Sequence, residues 1–318
     1  RYTDVEKDAT YDLFFVNEWF EIIFGFPFWL PEGTVYDYEF SDDDTSPQVT
    51  LEWQPNEDWN FFASYKEGYL PGGFSLGATP QAGLTLEDFL FDSEEVDGFE
   101  AGFKGTFMDG RMSLDVIVFD YEYSDLQVNI YVPETASFVV GNADEATTTG
   151  IEASVRFRVN EYLTVRSFAT YNEGEYGDYI NQCYTLQSAD RGCDTDTGTQ
   201  DMDGQDLPRA PETTFGIGGD FNYPIGSMEL SAATDLNWTD DYFTETTNNP
   251  ALVQDSYWYW NASVSLATQD GHWRVTALGR NLTDEDIRAF GATRGFTNDQ
   301  LAEILPLRNY AVELTYNF

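Results

Sequence analysis

The sequence has one histidine, His272, and two cysteines, Cys183 and Cys193. A single histidine leaves little for His-based catalysis or a His-rich metal site. Two cysteines are too few for a disulfide-built scaffold and too widely spaced for a zinc ribbon. Basic residues are also scarce: 15 Lys and Arg stand against 57 Asp and Glu in 318 residues, a formal charge of −42. That balance excludes nucleic acid as a partner, because such binding rests on cations neutralising phosphates. No apolar run approaches the roughly 18 residues of a membrane-spanning helix. Arg1-Tyr2-Thr3-Asp4 does not open a signal peptide. What the chain has in quantity is aromatic residues: 25 Phe, 20 Tyr and 8 Trp, 17% of the total, too many for a disordered acidic tail.

Apolar residues recur with a period of two in most segments, and a period of 3.6 is rarely sustained. Ile151, Ala153, Val155, Phe157 and Val159 alternate with Glu152, Ser154, Arg156 and Arg158. In the last ten residues Tyr310, Val312, Leu314, Tyr316 and Phe318 share one face, with Asn309, Ala311, Glu313, Thr315 and Asn317 on the other. Alternation alone does not separate a soluble sandwich from a membrane barrel.

The connections do. Tight-turn signals stand at Pro55-Asn56-Glu57-Asp58, Asp109-Gly110, Asn160-Glu161, Pro224-Ile225-Gly226 and Asp270-Gly271. Between them lie long polar or Gly/Pro-broken stretches at 8–46, 70–93, 125–145, 174–211, 240–255 and 282–308. A repeat of about 50 residues would suit a kelch-type propeller, but that fold needs four strands per repeat. Here each repeat holds two strand-length segments and one long loop. Long strands with short turns on one side and long loops on the other predict an all-β, antiparallel transmembrane β-barrel. Twelve strands are expected, near 1–7, 47–54, 59–69, 95–107, 111–124, 146–159, 162–173, 212–223, 228–239, 256–267, 272–281 and 309–318. Trp53, Trp59, Tyr162, Tyr223 and Trp273 flank the short turns, where a periplasmic aromatic girdle would sit.

Four blocks, in order, resemble the C-terminal barrel of TonB-dependent outer-membrane receptors. They are Ser46–Pro55 running into Phe62–Phe74, Gly141–Glu152, Gly279-Arg280-Asn281-Leu282-Thr283-Asp284-Glu285, and the terminal Tyr310–Phe318 strand. The resemblance implies a 22-stranded barrel in the outer membrane of a Gram-negative bacterium, with a plug domain in the lumen that engages the TonB complex. The expectation is that residues 1–318 form a single domain, a fragment holding about 12 strands of that larger barrel. The implied function is TonB-energised import of a scarce small-molecule nutrient, with an iron–siderophore complex as the transported ligand and no catalytic residue. The alternatives are a passive diffusion channel, or a barrel serving adhesion or secretion.

Site candidates follow. Tyr310, Tyr316 and Phe318 resemble the signal read by the barrel-assembly machinery. Cys183 and Cys193 fall in one long extracellular loop and are expected to form a disulfide. Asp194-x-Asp196 and Asp201-x-Asp203 offer oxygen ligands to calcium, although no Glu completes an EF-hand, and a solvated acidic loop is the alternative. Gly68-Tyr69-Leu70-Pro71-Gly72-Gly73-Phe74 ends a strand and is read as structural. His272 is read as a turn-flanking surface residue. The apolar run at 13–30, with Phe14, Trp19, Phe26 and Trp29, is read as either a binding surface or a segment packed beneath other loops. The acidity fits either a saline setting or selection of a cationic or metal-bearing ligand at the barrel mouth.

Overall fold

The computed structural model describes residues 1–12, 33–75, 89–132, 137–293 and 299–318. Thirteen long strands run through the described residues: β1 (Tyr2–Asp12), β2 (Val35–Thr45), β3 (Gln48–Asn56), β4 (Trp59–Leu70), β5 (Glu94–Phe107), β6 (Met112–Val132) and β7 (Ser137–Arg158). They continue with β8 (Leu163–Tyr176), β9 (Thr213–Ile225), β10 (Met228–Thr239), β11 (Tyr257–Thr268), β12 (Trp273–Arg280) and β13 (Asn309–Tyr316). Strands β3 to β13 form one antiparallel meander of 11 strands, each paired with its neighbour in sequence. The wall is open: among the described residues, β3 pairs only with β4 and β13 only with β12.

Register sorts the residues of this wall onto two faces. Leu51, Ala63, Ala101, Val118, Ile151 and Tyr171 follow one another across six strands. Ile217, Leu236 and Trp260 align in the same way, as do Val264, Ala277 and Val312. These apolar side chains are solvent-facing: Leu51 is 73% exposed and Val312 77%. A continuous apolar outer face belongs in lipid. The opposite face carries Thr50, Ser64, Glu100, Phe119, Gly150 and Asn172 in register. There Lys66 pairs with Glu100, and Arg166 with Asp220 and Asp235. This polar face is the wall of the lumen. Gly150 and Gly216 lie directly opposite Phe119 and Phe168, and an added Cβ would meet those rings at 2.6 and 2.5 Å. Glycine there lets each aromatic ring lie flat across the neighbouring strand.

Aromatic rings edge the apolar band. At the short-turn end Trp53 packs on Phe61, Trp59 on Phe107, Tyr162 on Tyr223 and Trp273 on Tyr316, at 4.5–5.4 Å. At the other end Tyr65 packs on Phe99, and Phe215 on Trp238 and Trp258. The Asp109-Gly110 turn is built from three successive positive φ values, at Met108, Asp109 and Gly110.

Three expectations are corrected. The strand expected near 1–7 runs to Asp12 and pairs with β2, a strand inside the stretch read as loop. Together they form a separate two-stranded sheet with strictly alternating burial, so the acidic composition of 37–45 hid a regular hairpin. The expected loop at 125–145 is mostly strand, because β6 and β7 stay paired from Leu126↔Ala143 to Val132↔Ser137. The expected loop at 282–308 contains a hairpin of Arg288–Thr293 with Gln300–Ile304. In all three cases the strands lie beyond the apolar band, where no lipid imposes alternating hydrophobicity. The apolar run at 13–30 lies outside the described residues.

Val264→Arg on the outer face is expected to cost about 2–4 kcal/mol. The measurement is the denaturant midpoint of the intact protein in lipid vesicles. Ser263→Arg, one residue along on the lumenal face, is expected to move that midpoint far less.

Candidate functional site

The strands continue past the outer aromatic belt into a layer of polar loops. Loop backbones have no sheet ladder, so Asn and Gln side chains take over their hydrogen bonds. Cys183 and Cys193 are joined by a disulfide, with their Cα atoms 5.7 Å apart. The bond closes a small three-stranded sheet of Ile180–Gln182, Thr199–Asp201 and Cys193–Asp194. Buried Gln187 donates to Arg191 O and to Gln200 Oε1, and Gln200 donates onward to Thr247 O. Asn181 donates to Thr246 O, and Asn248 to Asp206 O. Asn249 then reaches Thr293 Oγ1, and Gln254 Oε1 accepts from Arg288 N. The loops after β8, β10 and β12 are therefore one hydrogen-bonded body.

An apolar cluster sits beneath it. Tyr176, Tyr179 and Met202 pack on Val128 and Ala143 from the protruding ends of β6 and β7. Burial pushes both tyrosine pKa values well up. Glu245 is also enclosed, and burial raises its pKa despite donors from Thr247 Oγ1 and Asn249 N.

The other half of the layer is held by the β1–β2 hairpin. Tyr38 and Phe89 are buried there with Phe74, Tyr11 and Tyr36 around them. Lys7 Nζ donates to the Gly72 carbonyl. Tyr69 and Ser93 hydroxyls both donate to Asp42, which lowers that carboxyl's pKa. These contacts climb the hairpin from Asp42 to Tyr38, so it rises above the wall. At Gly72 an added Cβ would meet Phe91 O at 2.4 Å, which fixes glycine in the Gly68–Phe74 block.

Two other sequence blocks also gain a physical reason. Asn142 Oδ1 accepts from Asp92 N, and its amide donates to Asp92 O and Asp125 O. Asn281 is fully buried at φ +50°. Its side chain donates to Glu285 O and accepts from Glu285 N, while its backbone N–H donates to Asn261 Oδ1. Each asparagine ties a departing loop to its strand.

The four candidate calcium aspartates do not converge. Asp194 Oδ1 accepts from Asp196 N and Thr197 N, and Asp201 Oδ1 accepts from Asp203 N, so these carboxylates close local turns. Among the described residues no group of three His, Cys, Asp or Glu is placed to hold a metal ion. His272 lies in the β11–β12 turn with Nδ1 3.1 Å from Asp270 Oδ2. Tyr310 and Tyr316 sit on the lipid face, and Phe318 packs against Tyr316 at 5.0 Å.

A family model for the TonB-dependent receptor-like β-barrel matches residues 1–282. The chain belongs to the TonB-dependent receptor β-barrel family. It is 21% identical over 181 residues to the probable TonB-dependent siderophore receptor PiuA of Acinetobacter baumannii, covering 57% of this chain and 23% of that protein. In fold it resembles the ferric yersiniabactin uptake receptor FyuA from Yersinia pestis. The TM-score is 0.71 at 17% identity, over 90% of this chain and 39% of the other. The siderophore receptor PiuA from Acinetobacter baumannii follows with TM-score 0.65 at 15% identity, over 90% of this chain and 37% of the other. The chain thus spans less than half the length of these receptors. Barrels of this family sit in the Gram-negative outer membrane, which fits the apolar belt. In barrels of this kind short turns face the periplasm and long loops face outward, which places the interlocked layer on the outer side.

Sequence reasoning missed the buried amides that join the loops. Their only signal was a high density of Asn, Gln and Thr in segments read as loop.

Replacing Cys183 and Cys193 by serine is expected to cost the loop about 2–3 kcal/mol. Faster protease cleavage between Tyr179 and Asp201 would report it, with the barrel's heat-modified gel band unchanged. Glu245 has a raised pKa, so ionising it opposes the folded state, and the loop is more stable below that pKa than above it. Glu245→Gln should slow hydrogen exchange across 243–254 at neutral pH, with the advantage fading as the pH falls through that pKa.

Proposed function

We propose that the intact protein imports an iron–siderophore complex across the outer membrane, energised by TonB acting on a lumenal plug. The observation that supports this most directly is the interlocked outer layer standing over a polar lumen. Ligand recognition asks for such pre-ordered loops, because ordering them only on binding would cost conformational entropy. The related receptors named above carry siderophores in their names, which makes ferric siderophores the first ligand class to test. No catalytic constellation is assigned.

A passive diffusion channel differs in needing neither a plug nor energy, and an adhesion or secretion barrel in needing no small-molecule ligand. Disruption of the gene in the source bacterium separates them. Growth on at least one ferric siderophore as sole iron source should be lost, and restored by the gene only in cells with working TonB. Restoration without TonB would support the channel. Unchanged iron uptake with altered surface attachment or secretion would support the third reading.

A further inference from the structure

The outer face of the wall is not evenly filled. Leu51, Ala63, Ala101 and Val118 stand in register across β3 to β6, so two methyl groups lie between larger apolar side chains. The next row toward the periplasm sets Phe61 beside Phe103, and the next row outward sets Tyr65 beside Phe99 at 5.0 Å. Alanine between two aromatic rows leaves a mainly apolar trough of about 670 Å³. Asp120 and Thr149 line its far rim, where Thr149 Oγ1 donates to Asp120 Oδ1 at 2.8 Å. The trough is continuous with the lipid-facing belt, so what fills it is a hydrocarbon chain.

The charge above the trough is the second observation. Glu67, Asp97 and Glu122 are direct cross-strand neighbours on the same outer face, one row beyond Tyr65, Phe99 and Asp120. Like charges placed opposite one another destabilise a sheet. Asp97, Asp120 and Glu122 are exposed. The Tyr65 hydroxyl reaches Glu67 Oε1 at 2.8 Å and Asp97 Oδ2 at 3.3 Å, but brings no positive charge. Among the described residues of β3 to β8 no Lys or Arg shares this face: Lys66, Lys104, Arg156, Arg158 and Arg166 all lie on the lumenal side. The carboxylates therefore have no counter-charge from their own chain at the level where lipid headgroups begin. Among the described residues no three acidic, His or Cys side chains are placed to hold a metal ion. An ammonium group needs no such enclosure, because its three donors can be shared among separate carboxylates.

We propose that the trough and its acidic rim bind an outer-leaflet lipid with an amine-bearing headgroup. One acyl chain lies over Ala63 and Ala101, and the ammonium sits among Asp97, Asp120 and Glu122. A headgroup offering phosphate alone would meet like charge there, whereas an amine meets complementary charge. Groove and charge coincide at this position only in part of the belt; farther round, Ile217, Leu236 and Trp260 fill the same face with bulk. A bound ammonium offsets the repulsion within the row and so steadies β4 to β6 at the outer boundary. The site depends on the barrel's place in the outer membrane and not on what it imports.

The test uses the full-length receptor in mild detergent, with phosphatidylethanolamine and phosphatidylglycerol of matched acyl chains as probes. Native mass spectrometry should show the amine lipid retained several-fold more than the glycerol lipid. Ala63→Trp with Ala101→Trp fills the trough and should abolish that retention, and Ala63→Leu with Ala101→Leu should weaken it. Asp97→Asn, Asp120→Asn and Glu122→Gln together should erase the preference for the amine. The heat-modified gel band reports folding of each variant, and the Leu pair carries the trough test if the Trp pair does not fold. Equal retention of the two lipids by the wild type overturns the proposal and leaves ordinary surrounding lipid. Retention of phosphatidylglycerol that appears with magnesium and disappears with EDTA also overturns it, assigning the row to cation-bridged phosphate. A folded trough variant with wild-type retention, or a folded neutral variant with the preference intact, sinks it as well.

Discussion

Every other feature depends on one constraint: inside a bilayer, each backbone N–H and C=O must find its partner on a neighbouring strand. The meander from β3 to β13 meets it by pairing each strand with the next in sequence, so no lipid-facing group inside the wall is orphaned. With the ladder fixed, alternation sends Leu51, Val118, Ile217 and Val312 outward and Ser64, Glu100 and Arg166 inward. The two outer strands show the same rule from the other side. β3 and β13 are solvent-exposed along almost their whole length, each with one edge unpaired. Such edges need pairing partners before the sheet can live in lipid.

Beyond the bilayer the rule changes, because water and side chains can satisfy the backbone. The outer layer accordingly uses amides in place of a ladder, with Asn142, Asn181, Gln200, Asn248 and Asn281 each bonding to the main chain of a separate or departing segment. Stability there is a matter of local packing, around Tyr176 and Met202 on one side and Tyr38 and Phe89 on the other. Charge divides along the same boundary. The lumenal wall sets Lys66, Lys104, Arg156, Arg158, Arg166, Arg274 and Arg280 against a similar number of carboxylates. Most of the acidic excess therefore lies in the outer layer, where solvent screens it.

The strands of the wall were legible because lipid on one side and water on the other impose a strict period of two. β1–β2 and the outer halves of β6 and β7 were not. One face of each packs on an apolar cluster and the other meets water instead of lipid, so Asp42-Asp43-Asp44 and Asn142-Ala143-Asp144 read as loop while folding as strand. The recurring blocks were visible as residues, but not as mechanisms. Asn281 could be picked out of the Gly279–Glu285 block only as a letter, since its donors and acceptors arrive from Asn261 and Glu285.

The sequence by itself determined the fold class, the side of the membrane on which turns and loops fall, and the family. The first two follow from periodicity and local turn chemistry, and the family from the resemblance of four ordered blocks, all of them properties of neighbouring residues. Only the tertiary structure decided which residues meet across long separations. It set Asp42 beneath Tyr69 and Ser93, locked Gln200 to Thr247, and brought Glu67, Asp97 and Glu122 into one row above the apolar belt. Those outcomes depend on strand register, and register is settled by the whole sheet at once.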